Sequence, residues 1–279
     1  MVVDHKYGFL ISNVGIQDGD VLISFQSIEH LTAIERQGHN SLDLNTVQIW
    51  GIDLDGSIRC VERCAQWLDE EEQHRAARLI QEKDRQHYVL AHGGLRVVLS
   101  RYLRISADAV AMYRSEAGKP SLTRKLRDQF AITFNMSHAH GRALIAVSKE
   151  QEVGVDLERI RSDVEVAKLS ERYFVPSEHA TIMQLTQEQR AARFFRYWVS
   201  KEAVLKAQGI GLRALSQCEI LMAADGVGAE ARVSVGSPLQ DNWRVRFLSC
   251  GEGWEAAVAA QGMDWVVCDA RERRDGQDG

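Results

Sequence analysis

Gly154-Val-Asp-Leu-Glu158 and, further along, Phe194-Phe-Arg-Tyr-Trp-Val-Ser-Lys-Glu-Ala-Val-Leu-Lys-Ala-Gln-Gly209 are the two stretches on which the reading of this chain turns. On a strand, side chains alternate, so Asp156 and Glu158 share one face while Val155 and Leu157 take the other. Two adjacent carboxylates repel unless a cation lies between them. They form either a solvated edge strand or half of a site for a hard cation such as Mg²⁺, which takes oxygen ligands and keeps several waters. The second stretch has helical spacing. At about 100° per residue, Phe195, Trp198, Glu202, Leu205 and Lys206 fall on one face. Glu202 then lies in an apolar stripe, where a lone carboxylate costs a few kcal/mol or more. Lys206 follows it by one turn in the favourable Glu-to-Lys order. That pair alone is a helical salt bridge; with Asp156 and Glu158 it reads as a metal–phosphate site.

Working outward, the same pattern recurs upstream. Gly51-Ile-Asp-Leu-Asp55 echoes residues 154–158, and Leu95-Arg-Val-Val-Leu-Ser100 echoes Lys201–Lys206 at nearly the same offset. The chain therefore reads as two similar α+β halves with a ligand cleft between them. Strands are expected at Val47–Leu54, Ile132–Asn135, Ala143–Ser148 and Val153–Leu157, with more between Leu215 and Val267. A single helix is expected over Ala65–Lys83, and a second carries Tyr88, Ala91, Leu95, Val98, Leu99 and Tyr102 on one stripe. Further helices are expected near 163–174, 177–185 and 187–208. The division expected is an N-terminal extension (1–45) with a little β structure, a first half (46–152), a second half (153–268) and a fraying tail (269–279).

Composition narrows the class. The chain has 279 residues, 45% of them hydrophobic and 26% charged, as in an ordinary globular protein. No apolar run approaches the roughly 20 residues of a membrane span, and no secretory signal is read at the N-terminus. A net charge of −5 speaks against nucleic acid as a partner. Five cysteines, an odd number, make a disulfide framework improbable and fit a cytoplasmic location. Cys60 and Cys64 have no C-x-x-C or H-x-x-x-H to complete a zinc site.

Three weaker signals complete the set. Phe134-Asn-Met-Ser-His138 ends a strand in polar groups: a turn in which Asn135 and Ser137 bond their own backbone, or a ligand-facing His138. Gly118-Lys119-Pro120 is a turn or a phosphate-facing lysine. Arg75 and Arg78 share a helix face, either solvated or meeting a phosphate.

Taken in order and spacing, residues 118–120, 134–138, 154–158 and 198–212 resemble the 4'-phosphopantetheinyl transferases, in the larger class that holds two halves in one chain. The resemblance runs from about Val47 to Val267. It implies an intrachain pseudo-dimer and a Mg²⁺-dependent reaction in which a serine of an apo carrier protein attacks the β-phosphate of coenzyme A and 3',5'-ADP leaves. By position it implies Asp156, Glu158 and Glu202 as Mg²⁺ ligands, Lys206 and His138 on the pyrophosphate, and Lys119 with Pro120 and Ser137 along the nucleotide. Arg75 and Arg78 fall where the family holds the 3'-phosphate. Glu202 is the chosen base, directly or through water. Ala139 stands where the family often has a second serine. The competing readings are another Mg²⁺-dependent transferase or hydrolase of nucleotide pyrophosphates, and a non-catalytic carrier-binding protein.

The halves are expected to differ. Asp53 and Asp55 echo Asp156 and Glu158, but Arg96 aligns with Glu202. Its permanent positive charge competes with a cation and is free to pair with Asp53 or Asp55. One Mg²⁺ site per chain and a monomer are therefore expected.

Overall fold

The computed structural model describes residues 20–34, 40–115, 118–224, 226, 228–234, 243–262 and 264–271. In order, the elements are β1 (Val21–Leu22), β2 (Phe25–Ser27), α1 (Ile28–Ile34), β3 (Thr46–Asp53), α2 (Ile58–Ala65), α3 (Glu70–Ala77) and α4 (Glu82–Leu103). Then come β4 (Met112–Arg114), β5 (Pro120–Leu122), α5 (Arg124–Phe130), β6 (Ile132–Ala139), β7 (Arg142–Lys149) and β8 (Val153–Arg159). The rest are α6 (Val166–Tyr173), α7 (Pro176–Met183), α8 (Gln187–Gln208), β9 (Cys218–Met222), β10 (Gly228–Val233), β11 (Trp243–Ser249), β12 (Trp254–Gln261) and β13 (Val266–Asp269).

Strand alternation sorts these elements into four layers. The first half's sheet runs β13-β3-β7-β6, and the second half's runs β8-β12-β11-β10-β9. In β3, Trp50 and Ile52 pack with Leu95, Val98 and Leu99 of α4, while Val47 and Ile49 point the opposite way. In β8, Val153, Val155 and Leu157 meet those residues together with Ala256 and Val258 of β12. The other face of β12, with Ala257 and Ala259, packs under Val204 and Leu205 of α8. The order is thus α4, first sheet, second sheet, α8: two α+β halves joined through their sheets, an intrachain pseudo-dimer. Each fully buried Val, Leu or Ile in the shared middle layer contributes about 1.5–3 kcal/mol, so neither half is expected to stand without the other.

The two long helices match, each 22 residues. The register of α8 on β8 is fixed by Gly154. A Cβ there would lie 2.0 Å from the Ala203 carbonyl oxygen and 2.5 Å from the Ala207 amide. Only hydrogen lets strand and helix backbone come this close.

Three expectations are corrected. The helix expected over Ala65–Lys83 is broken twice: α2 ends at Ala65, Asp69 and Glu72 form a capping box that starts α3 afresh, and α4 begins at Glu82. Asn135 and Ser137 do not form a turn but lie within β6. Arg96 does not pair with Asp53 or Asp55; it binds Glu72, Asp69 and the Val110 carbonyl.

The described part of the expected extension is woven into the fold. β1 pairs with β11 of the second sheet, and β2 pairs with β3 of the first. Between them Ile23 is buried in the middle layer, and the Ser24 amide donates to Asp269 at 3.0 Å. β13, near the other end of the chain, also pairs with β3. The expected tail lies outside the described residues from 272 onward.

Candidate active site

Because Gly154 seats α8 on β8, the residues one turn apart on α8 descend onto the strand's carboxylates. Lys206 Nζ lies 2.5 Å from Asp156 Oδ1 and 3.6 Å from Glu202 Oε2. Ser137 of β6 donates to the same Asp156 oxygen at 2.7 Å and accepts from Lys206 at 3.0 Å. Asn135 Oδ1 accepts from the Val155 amide at 3.0 Å, which ties β8 to β6 across the two halves. The other Asp156 oxygen, Oδ2, is buried with no hydrogen-bond partner among the described residues.

The electrostatics follow from this crowding. Burial raises the pKa of Glu202 to about 7, the negative charges of Asp156 and Glu158 add to the rise, and Lys206 only partly offsets it. Burial and Asp156 likewise raise Glu158, against the pull of Arg161 and Lys206. Burial works against the Lys206 charge, but Asp156 and Glu202 outweigh it and hold the ammonium above its ordinary value. His138 goes the other way. Burial, the neighbouring imidazoles of His92 and His87, and the Lys206 ammonium push it below the usual imidazole range, although the residue is exposed where it lines the cavity between the halves. A neutral His138 still donates one N–H.

Beside this cluster lies a cavity of about 340 Å³ between the halves. His92, Arg114, Lys119 and Pro120 come from the first half, Asn135, Met136 and His138 from β6, and Glu202, Leu205 and Lys206 from α8, with Gly209, Gly211 and Leu212 beyond it. Gly209 ends α8 in the left-handed conformation at φ 71° and turns the chain along this wall. Lys119 crosses between the halves: its ammonium donates to the Ala207 carbonyl at 2.8 Å and pairs with Glu152 at 2.7 Å.

The structure therefore brings together Asp156, Glu158, Glu202, Lys206, Ser137, His138, Lys119 and Pro120. Glu158 is half-buried, beside the cavity rather than on its wall. Arg75 and Arg78 do not line the cavity. Arg75 is exposed on α3 and pairs with Glu71 at 2.7 Å, its charge still felt by Tyr88; Arg78 is exposed at the helix end. Asp53 is exposed, as is Asp55, which sits 3.4 Å from His87.

Sequence reasoning missed His92 and Arg114. His92 stood one position along from Ala91 on the stripe read as core, and Arg114 belongs to the short β4 strand, for which no pattern spoke. Lys201 was also passed over. It is fully buried, bound to Glu178 at 2.7 Å and to the Leu215 and Cys218 carbonyls, so this lysine pins α8 to α7 and β9 and does not face the site.

Among the described residues, no three His, Cys, Asp or Glu side chains are arranged as they lie to hold a metal ion. The donor set nonetheless fits a hard divalent cation. Among the described residues Asp156 Oδ2 is buried and unpartnered, two neighbouring carboxylates resist ionising, and the Lys206 ammonium stands among them.

Comparison with known proteins converges on this arrangement. A model of the 4'-phosphopantetheinyl transferase superfamily matches residues 152–259, and one of the N-terminal region of 4'-phosphopantetheinyl transferases matches residues 57–151. The chain is 32% identical over 219 residues to the 4'-phosphopantetheinyl transferase HetI of Nostoc sp., covering 78% of this chain and 89% of that one. It is 26% identical over 224 residues to the 4'-phosphopantetheinyl transferase Sfp of Bacillus subtilis, covering 78% and 94%. The two matched regions meet between β7 and β8, where the two halves of the site are joined, and the chain belongs to the 4'-phosphopantetheinyl transferase superfamily.

Proposed function

We propose that this chain moves the 4'-phosphopantetheine arm of coenzyme A to a serine hydroxyl of an apo carrier protein and releases 3',5'-ADP. The observation that carries the reading is the Asp156–Glu202–Lys206 cluster, set where the two halves meet and opening on a cavity with cationic walls. Asp156, Glu158 and Glu202 would hold Mg²⁺, which when bound neutralises phosphate charge and makes the phosphorus a better electrophile.

The chain's own residues supply the rest. Lys206 and His138 would donate to the pyrophosphate oxygens, a compact cation and a neutral N–H side by side. Glu202, beside Asp156 and next to the cavity, would take the serine proton, directly or through a water. As the serine oxygen bonds to the β-phosphorus, the bond from that phosphorus to the bridging oxygen breaks, and the electron pair leaves with 3',5'-ADP. Lys206 stands where that developing charge is met. Lys119 already spans the halves and, with Pro120 and Ser137, would border the nucleotide. Arg75, at the outer edge near Tyr88, and Arg78 would reach only a 3'-phosphate that projects from the cavity. With both halves of the site in one chain, the working form is a monomer. No helix among the described residues is long and apolar enough to cross a membrane; a cytoplasmic site of action is part of the proposal.

The test is mass spectrometry of apo carrier incubated with coenzyme A, Mg²⁺ and the chain. A mass increase equal to one phosphopantetheine arm, abolished by EDTA and by serine-to-alanine change in the carrier, is the expected outcome. No increase with several carrier types would refute the proposal.

A further inference from the structure

The first half carries a buried polar network that the reaction above leaves unused. Glu72 of α3 is 4% exposed and fully engaged. Its Oε2 accepts from Arg96 Nε at 2.9 Å, from Arg96 Nη2 at 2.7 Å and from the Asp69 amide at 3.2 Å. Its Oε1 faces His92 Nδ1 at 2.9 Å. Burial alone would raise the Glu72 pKa, but His92 and Arg96 outweigh it and hold it at about 2. The carboxylate is thus ionised and can only accept, so Nδ1 of His92 must carry the hydrogen.

This fixes both the tautomer and the direction of His92. The ring is also stacked on Tyr88, centroids 4.1 Å apart, and is itself only 4% exposed. What remains is Nε2. It has no partner among the described residues, while His92 forms part of the wall of the cavity that also holds His138, Glu202 and Lys206. A buried carboxylate that orients an imidazole toward an open ligand space is the arrangement by which second-layer groups set first-layer ones. A histidine needed only for packing would not require an ionised anchor held in turn by an arginine.

We infer that His92 is a further coenzyme A-binding residue: with its Nδ1–H held by Glu72, the ring takes up a second proton as coenzyme A binds and donates from Nε2 to an anionic oxygen of the bound coenzyme A, with Glu72 and Arg96 as its positioning residues. The inference rests on the proposed coenzyme A-dependent transfer. It gives the first half a direct part in binding through α4, so that coenzyme A is gripped from both long helices, by His92 on one side and Lys206 on the other.

The test is calorimetric titration of the full chain with coenzyme A and Mg²⁺, without carrier. His92→Ala is expected to weaken coenzyme A binding on the order of 10- to 100-fold, as loss of a charge-assisted hydrogen bond does. His92→Gln, whose amide nitrogen reaches toward the same place, should restore part of that, and the KM for the carrier should stay put in both. Unchanged coenzyme A affinity in a folded His92→Ala protein would overturn the inference, as would a loss confined to kcat. If both variants fail to fold, the wild-type chain labelled with ¹⁵N-histidine decides. A ring with the Nδ1–H pattern whose Nε2 gains a hydrogen on addition of coenzyme A supports the inference, and histidine spectra indifferent to coenzyme A overturn it. Failure of the wild-type chain to transfer the arm to any carrier would instead remove the reading on which the inference rests.

Discussion

Replacing Gly154 by alanine should separate the two parts of the site without touching either. The added Cβ would lie 2.0 Å from the Ala203 oxygen, about 1.4 Å inside the distance at which ordinary contact begins, and 2.5 Å from the Ala207 nitrogen. Both obstacles are backbone, so no side chain can swing aside; α8 must lift from β8 or the strand must bend. Alanine would gain about 0.4–1 kcal/mol by restricting the unfolded chain. Overpacking of this severity costs about 1–3 kcal/mol or more, so the clash wins. The expected fall in Tm is roughly 3–10 °C for a chain of this size. The functional effect should be larger. Lifting α8 by about 1 Å moves Glu202 and Lys206 away from Asp156, and misplacement of that size lowers turnover by about 10²-fold. The assay is a thermal melt beside a mass-spectrometric rate of arm transfer on the same preparation. A Gly154→Ala protein with wild-type Tm and turnover would refute the claim that this glycine sets the register of the site.

The other expectations can be checked on the same footing. Glu202→Gln keeps shape and should keep the fold, yet arm transfer should fall 10²-fold or more, measured as initial rate at saturating coenzyme A; near-normal turnover removes Glu202 from the chemistry. The two lysines of the α8 motif should part company. Lys201→Ala leaves Glu178 buried and unpaired and should cost about 3–5 kcal/mol in a denaturant titration, whereas Lys206→Ala should leave folding largely intact and weaken coenzyme A binding. Glu72 has a folded pKa of about 2 against an ordinary 4.5. The stability it contributes is therefore complete above about pH 5 and lost as pH falls toward 2. Glu72→Gln should flatten that part of an acid-unfolding curve, and an unaltered curve would show the network contributes nothing. Arg75→Ala with Arg78→Ala should weaken coenzyme A more than 3'-dephospho-coenzyme A if they meet a projecting 3'-phosphate; equal penalties place both arginines outside the site.

What could be read from the sequence was what periodicity encodes. Alternation in 154–158 put Asp156 opposite Val155, and the helical stripe put Glu202 and Lys206 on one face, because those relations are local. The echo between 51–55 and 154–158 exposed the two halves for the same reason. What could not be read depends on contacts far apart in the chain. The pairing of Arg96 with Glu72 needed α3 to restart at Asp69, and the long charged run hid that break. His92 sits within a helix stripe that reads as core, and only the folded arrangement shows that one side of the stripe faces a cavity. Lys201 and Lys206 stand in one motif and look alike in sequence. One is sealed among carbonyls and the other meets carboxylates, a difference set by what α7, β9 and β8 bring to each face of α8.

β3 has one edge zipped along its length to β7, while its other edge is shared end to end by β13 at Thr46–Ile49 and β2 at Gly51–Asp53. Two short strands from distant parts of the chain thus close a row of backbone donors and acceptors that would otherwise stand open as a template for foreign strands. Trimming either segment should therefore show itself first as a change in colloidal behaviour. Protein lacking residues 20–34 or 266–271 should self-associate through β3 and leave solution on standing, at concentrations where the full chain stays dispersed.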